Sequence, residues 1–329
     1  MGSVKTVLVT GAAGFYGSAI VRALALDGYD VVAFDRTKEQ DAQTRPDTPS
    51  GRVRYVVGDV TDPVSLEPAN FAGVTSIVHA AALSLPKEME AASAILDVNV
   101  RGTINVLELA AQLPQFHRLL LVSSAGVYDL DRPGRVDEAD ATGGRSLYGA
   151  TKLATEILTI RVGQLLGFDV GILRPSSLWG PGEISRSTRP FTTPIQQLVA
   201  YARRGERVEP RGLDASWDWI YVDDAAVAVT RFLATEMGGR RLTLASGQGT
   251  PFREIVEAVT EVFDLQVHPD GSIVDGSPDR PAHLSIEALA NATGWRPTTT
   301  LVDGLLRYRE FLDQTARPTV PGRQAPPGV

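Results

Sequence analysis

Two residues with clear chemical potential are Tyr148 and Lys152, four apart in the stretch SLYGATKLATE that begins at Ser146. In a helix, positions i and i+4 share a face, so the lysine stands one turn from the phenol. A free phenol has a pKa of about 10, and bringing it near 7 takes about 4 kcal/mol of differential stabilisation of the phenolate. A nearby ammonium, joined by a second positive charge in the same site, is the right kind of source. The alternative is a surface helix carrying an aromatic ring and a solvated lysine. A chemical use also needs a donor for the reacting oxygen, and Ser123 and Ser124 in LLLVSSAGVY offer one at the end of an apolar run.

A second constellation is VTGAAGFYG, with Gly11, Gly14 and Gly17 between an apolar run and a helical pattern. Glycines there allow a tight turn and bring backbone N–H groups close to a pyrophosphate at a helix N-terminus, where the dipole favours negative charge. Asp35 ends the next apolar run and can accept hydrogen bonds from adenosine ribose hydroxyls. An acid at that place repels a 2′-phosphate and favours NAD over NADP. Arg36 beside it pulls the other way, since it can pair with that phosphate or stack on adenine.

These residues need a scaffold, and the chain supplies a regular one. Apolar runs at 6–10, 30–35, 52–60, 76–82, 118–124 and 169–175 alternate with helix-length segments. The runs are nearly all apolar, as in strands buried on both faces, and the spacing predicts right-handed βαβ units. The expected fold is α/β: a doubly wound parallel Rossmann sheet with a smaller mixed α/β substrate domain. Residues 1–175, with parts of 218–246, form the cofactor half; 176–217 and 247–314 form the substrate half. Helices are expected at 18–28, 95–113, 194–205, 223–236 and 251–263, and a strand at 240–246. Residues 175–193 read as a long functional loop, 36–51 as a solvated connection and 315–329, rich in proline, as a disordered tail.

Composition excludes several classes. The 329 residues suit about two domains at ~150 residues each. A net charge of −7 without basic runs argues against a general nucleic-acid or membrane-surface binder. Cysteine is absent, which removes disulfides, thiolate nucleophiles and Cys-ligated metals; no metal site is expected. No apolar run nears the ~18 residues that span a bilayer. VKTVLVTGAAG at the N-terminus reads as strand and turn rather than leader, so a cytoplasmic protein is expected.

On these motifs the chain resembles the extended short-chain dehydrogenases/reductases of the NAD-dependent epimerase/dehydratase type, from about residue 4 to 312. Further carriers are GDV at 58–60, HAAA at 79–82, NVRGTINVLE at 99–108, SSAGVY at 123–128, LRPSSLWGPG, DWIYVDDAA and TGWRP. The resemblance implies that Tyr148 is the acid/base, that Lys152 lowers its pKa and holds the nicotinamide ribose, and that Ser124 hydrogen-bonds the reacting oxygen. It implies cofactor contacts from Gly11, Gly14, Phe15, Tyr16 and Gly17, from Asp35 and Arg36, and from Asp59 and Val60 beside adenine. Ala80, Ala81 and Ala82 would line the central stretch, with Pro175 and Ser176 further along. Asn99 is either a direct contact or a buried helical residue capped by backbone. Ser84, Ser124, Ala125, Ser177, Trp179 and Trp217 are the implied substrate contacts; Trp219 could serve the same pocket, with core packing its favoured reading, and Trp295 reads as core. His79 reads as structural, because Tyr148 already fills the acid/base role. Helices near 102–112 and 148–163 would pair across a homodimer.

Departures narrow the reaction. Family dehydratases carry an Asp–Glu pair after the catalytic Ser or Thr, where this chain has Ala125 and Gly126, neither able to transfer protons. Many nucleotide-sugar enzymes have Asn where this chain has Ser177, and Arg before the Asp of the later motif, where it has Trp217. Arg186, Arg189, Arg211 and Arg280 are other candidates for a diphosphate contact. The favoured expectation is an NAD-dependent dehydrogenase or reductase acting on a secondary alcohol or ketone of a carbohydrate-like molecule. A sugar or nucleotide-sugar epimerase with retained NAD is the alternative, and a non-catalytic cofactor sensor is the third.

Overall fold

The apolar runs become strands because each offers alternate side chains to two separate cores. The computed structural model describes residues 5–37, 48–49, 52–84, 87–129, 134–185, 192–276 and 282–315. The first half runs β1 (Thr6–Thr10), α1 (Phe15–Leu26), β2 (Asp30–Asp35), β3 (Val53–Val57) and β4 (Val74–His79). Next come α2 (Ala92–Leu96), a π-helical turn at Asp97–Arg101, α3 (Gly102–Gln112), β5 (Arg118–Val122), β6 (Gly134–Val136), α4 (Leu147–Leu166) and β7 (Asp169–Pro175). The second half holds β8 (Ser177–Trp179), α5 (Pro194–Arg204), β9 (Arg207–Arg211), β10 (Ser216–Trp217), β11 (Trp219–Tyr221), α6 (Val222–Leu233) and β12 (Arg241–Leu244). It ends with β13 (Thr250–Pro251), α7 (Phe252–Phe263), β14 (Gln266–Val267), β15 (Ser272–Asp275), β16 (Ala282–Leu284), α8 (Glu287–Thr293) and α9 (Leu301–Thr315).

Seven strands form one parallel sheet in the order β12-β7-β5-β4-β1-β2-β3. Val7 and Val9 face the core built with α1 and α6, whereas Leu8 faces the core built with α3. Leu120 and Val122 divide from Leu119 and Leu121 in the same way. Helices therefore cover both faces, as a doubly wound sheet requires. A separate core gathers α5, α7 and α9 around Ile195, Leu198, Phe252, Val259 and Leu305, beside the small three-stranded sheet β14-β9-β15. No helix among the described residues is long and apolar enough to cross a membrane.

Four boundaries differ from the sequence pattern, each for a local reason. Helix α1 starts at Phe15, capped by Gly14, so the glycine motif runs into its first turn. Strand β3 stops at Val57, after which Gly58 N–H makes a last bond to the neighbouring strand, at Asp35 O, 2.9 Å. Strand β4 begins at Val74 and ends at His79, which frees the three alanines that follow for the cavity. The helix expected at 95–113 is interrupted by the π turn carrying Asn99. The tail beyond Thr315 and most of the 36–51 connection lie outside the described residues.

Candidate active site

One cavity of about 870 Å³ opens at the C-terminal ends of the strands, where a doubly wound sheet receives ligands. Its floor is the β1–α1 turn. Gly11 sits at φ +70°, a left-handed backbone suited to glycine, and Gly14 N–H donates to Gly11 O at 3.0 Å. Gly17 packs so tightly that a Cβ there would lie 1.9 Å from Gly11 O. Phe15 and Tyr16 join the wall, and the Tyr16 hydroxyl donates to Ala225 O at 2.8 Å. The turn and the N-terminus of α1 thus bring backbone to the cavity floor.

Asp35 closes one end. Its Oδ2 accepts from Ala13 N–H at 3.0 Å and its Oδ1 from Thr37 N–H at 2.9 Å, leaving further acceptor capacity on both oxygens. Arg36 reaches Asp59 at 3.6 Å, so the cation beside Asp35 stands against an acid across the cavity mouth. Val60 lines the same end. Ala80, Ala81, Ala82 and Ser84 form the middle wall, and Pro175, Ser176 and Ser177 face them. Among the described residues the buried Ser176 Oγ has no hydrogen-bond partner, an orphan of the kind a bound ligand would satisfy.

The expected chemical residues meet on this cavity. Ser124 caps a short 3₁₀ turn (Ala125–Val127), its Oγ accepting from Gly126 N–H at 3.0 Å, which leaves its proton to donate. Tyr148 lies in the first turn of α4, where Ser146 Oγ accepts from Gly149 N–H. Lys152 is 4% exposed; its Nζ donates to Val122 O at 2.8 Å and lies 5.8 Å from the Tyr148 ring centre. Burial lowers its pKa from the usual 10.5 to about 8, against the opposing pull of Glu156. It is still mostly ammonium at neutral pH, as stabilising a phenolate requires.

That buried charge has a testable cost. Lys152 binds its proton less readily when folded, so the cost is full below about 8 and relieved as pH rises towards 10.5. Lys152→Met should therefore stabilise the fold near neutral pH by on the order of 2 kcal/mol, once the lost Val122 hydrogen bond is set against it. The advantage should shrink between pH 8 and 10, which urea denaturation at several pH values measures directly.

Other expected residues fall elsewhere. Asn99 is 2% exposed and does not line the cavity. Its Oδ1 accepts from Leu83 N–H at 2.8 Å, and its Nδ2 donates to Leu83 O and Thr151 Oγ1, so the backbone-capped reading describes it. Ala125 is buried with Val127 and Tyr128. Trp179, expected as a substrate contact, does not line the cavity: it is 3% exposed and packs on Tyr221, ring centres 5.3 Å apart. Trp217 stands behind the wall and donates from Nε1 to Ser177 Oγ at 2.6 Å. Trp219 and Trp295 pack into cores. Arg211, exposed, pairs with Glu209, while Arg186, Arg189 and Arg280 lie outside the described residues. His79 bonds Thr10 and Thr103, and burial with the Lys152 charge lowers its pKa to about 3, keeping it neutral.

Sequence reasoning missed Glu88, whose carboxylate accepts from Leu147 and Tyr148 N–H at 2.7 and 3.0 Å and caps the helix that carries the dyad. It also missed Leu178, Ile184 and Thr193, which line the cavity next to Ser177.

The model of the NAD dependent epimerase/dehydratase family matches residues 7–244. The chain belongs to this family. A UDP-glucose 4-epimerase of Mycolicibacterium smegmatis is 26% identical over 313 residues, covering 92% of this chain and 97% of the relative. The solved structure of MoeE5 in complex with UDP-glucose and NAD is 27% identical, covering 94% of this chain and 99% of that one, with a TM-score of 0.78. The UDP-glucose 4-epimerase of Thermus thermophilus in complex with NAD is 25% identical over the same shares, also at 0.78. As a family member the protein is an enzyme of the extended short-chain dehydrogenase/reductase type.

Proposed function

We propose that the protein performs reversible hydride transfer at a secondary alcohol of a carbohydrate-like substrate, using NAD, with Tyr148 as the acid/base. The convergence of Ser124, Tyr148 and Lys152 on the cavity floored by the glycine turn carries this reading. The cavity fits the cofactor. Gly11, Gly14 and Gly17 would hold the diphosphate, Asp35 the adenosine ribose, Asp59 and Val60 the adenine, and Ser176 the nicotinamide end. Arg36, engaged by Asp59, is drawn away from a 2′-phosphate, which supports NAD over NADP.

When bound, NAD supplies the hydride acceptor and donor. Tyr148 takes the hydroxyl proton from the substrate as its carbinol carbon becomes a carbonyl, and returns it in the reverse direction. Lys152 favours the phenolate through its charge, and Ser124 donates to the reacting oxygen. Hydroxyls of Ser84, Ser177 and Thr193 beside Leu178 and Ile184 offer the mixed polar and apolar surface that a sugar ring needs. With Ala125 and Gly126 after Ser124, there is no Asp–Glu pair in the dehydratase position.

A second reading, sugar or nucleotide-sugar epimerase, is favoured by the names of the relatives. There the same step runs forward and then back on the opposite face of the keto intermediate, with NAD retained. Cofactor content separates the two. Denaturing the dialysed protein and quantifying released nucleotide should yield NAD near one per chain for an epimerase. An empty site that binds added NAD reversibly supports the dehydrogenase or reductase. Recovery of NADP would overturn the role given to Asp35, and failure to bind either nucleotide would overturn the proposal. The same reading makes the protein a cytoplasmic homodimer joined through α3 and α4, whose outer faces expose Ile104 and Ile157.

A further inference from the structure

Beneath the proposed dyad lies a buried acid that the reaction as drawn does not use. Glu156 is 0% exposed and follows Lys152 by one helical turn, so Tyr148, Lys152 and Glu156 descend one face of α4. Its Oε1 accepts from Ser123 Oγ at 2.5 Å and Arg174 Nε at 2.9 Å. Its Oε2 accepts from an Arg174 terminal nitrogen at 2.6 Å, with Arg241 Nε at 3.4 Å. Ser123 sits directly before Ser124, and Lys152 Nζ holds Val122 O, one residue further back. The end of β5 is therefore tied to α4 at two adjacent points, by Lys152 and by Glu156.

Resting on the function proposed above, we propose that Glu156 is a positioning residue: it keeps Lys152 charged and fixes the strand end that presents Ser124. The charged or titratable groups packed around Lys152 are Tyr148 and Glu156 on α4, His79 on β4, Arg174 on β7 and, beyond Glu156, Arg241 on β12. His79 is neutral, so Glu156 is the one negative charge in this set. Burial pushes Lys152 towards the neutral amine and Glu156 opposes it. A Glu–Arg pair serving packing alone would be replaceable by neutral groups of similar size without moving Lys152. A pair serving the dyad would not.

The chain has only four lysines, Lys5, Lys38, Lys87 and Lys152, so the ammonium can be observed directly. In protein labelled with carbon-13 at lysine Cε, the Lys152 signal, assigned by its loss in Lys152→Met, is followed through a pH titration. It should titrate near 8 in the wild-type chain. In Glu156→Gln, which keeps a side-chain oxygen for Ser123 but removes the charge, the midpoint should fall by about one unit or more. The pH profile of turnover should lose its alkaline side by the same shift. An unchanged Lys152 midpoint, with the remaining lysine signals in their wild-type positions, would overturn the proposal. Should the single variant unfold through the stranded Arg174, Glu156→Gln with Arg174→Met removes both charges. Because losing Arg174 by itself favours the ammonium, the double variant is read against Arg174→Met: a lower midpoint than in that variant supports the proposal, and an equal one overturns it. Because the titration needs no substrate, its outcome is independent of the nucleotide-release experiment.

Discussion

Tyr148→Phe should lower turnover by a factor on the order of 10²–10⁴, the range that a positioned general acid/base contributes. It should leave NAD affinity within a few-fold of wild type. The substitution keeps the ring and removes only the hydroxyl. The ring is set by α4, whose first turn is held by Ser146 and Glu88 through backbone bonds that the substitution keeps. Lys152 keeps its tether to Val122 O, and the glycine turn is untouched. What disappears is the one oxygen that could take a proton from the substrate hydroxyl, because His79 is buried between two threonines and held neutral, away from the cavity wall. The measurement pairs turnover of a carbohydrate or nucleotide sugar accepted by the wild type with NAD binding by tryptophan fluorescence. Full turnover in the variant would remove Tyr148 from the chemistry and sink both the dehydrogenase and the epimerase readings. Equal loss of NAD affinity would instead mean that the hydroxyl serves binding.

The reaction end of this site was legible in the sequence because its parts are local. A tyrosine and lysine four apart meet on any helix, and a glycine turn between strand and helix meets phosphate by geometry alone. The sheet was legible for a similar reason: six apolar runs of strand length, separated by helix-length segments, mark strands buried between two layers of helices. What stayed hidden depends on contacts between distant segments. Glu88 lies about sixty positions from the N–H groups that it caps, and no local pattern marks it. Asn99 sits in a π turn, which a search at 3.6 residues per turn does not register, and its amide meets Leu83 and Thr151 rather than the cavity. Trp179 and Trp217 look alike in a sequence, as large rings beside a functional loop. Which one reaches the cavity depends on side-chain direction, and neither does: Trp179 is spent on Tyr221 and Trp217 on Ser177.

Gly17→Ala should weaken NAD binding more than a hundredfold and lower thermal stability, while Gly14→Ala should do far less. The difference lies in what each new methyl group meets. At Gly17 the Cβ would lie 1.9 Å from Gly11 O and 2.8 Å from Gly11 C, with Ala12 Cα at 3.1 Å, all backbone. No rotamer can relieve such a clash, so either α1 or the turn must move. The turn cannot retreat past Gly11, because a Cβ on that residue would itself stand 2.8 Å from Ala81 backbone, so the neighbouring chain already occupies the space. Movement must then come from α1, whose buried face, with Ile20 and Leu24 at 0% exposure, is packed against the sheet and α6. Overpacking of this kind costs about 1–3 kcal/mol in stability. The greater loss falls on binding, because displacing the turn misaligns the N–H groups that would meet the diphosphate. At Gly14 the Cβ would stand 3.1 Å from Gly11 O alone, a contact that shifts of a few tenths of an ångström relieve. Calorimetric titration of NAD into both variants, beside their thermal unfolding curves, tests the ordering. If Gly17→Ala binds NAD as tightly as the wild type, the glycine turn is not what holds the cofactor, and the diphosphate must be sought elsewhere along the cavity.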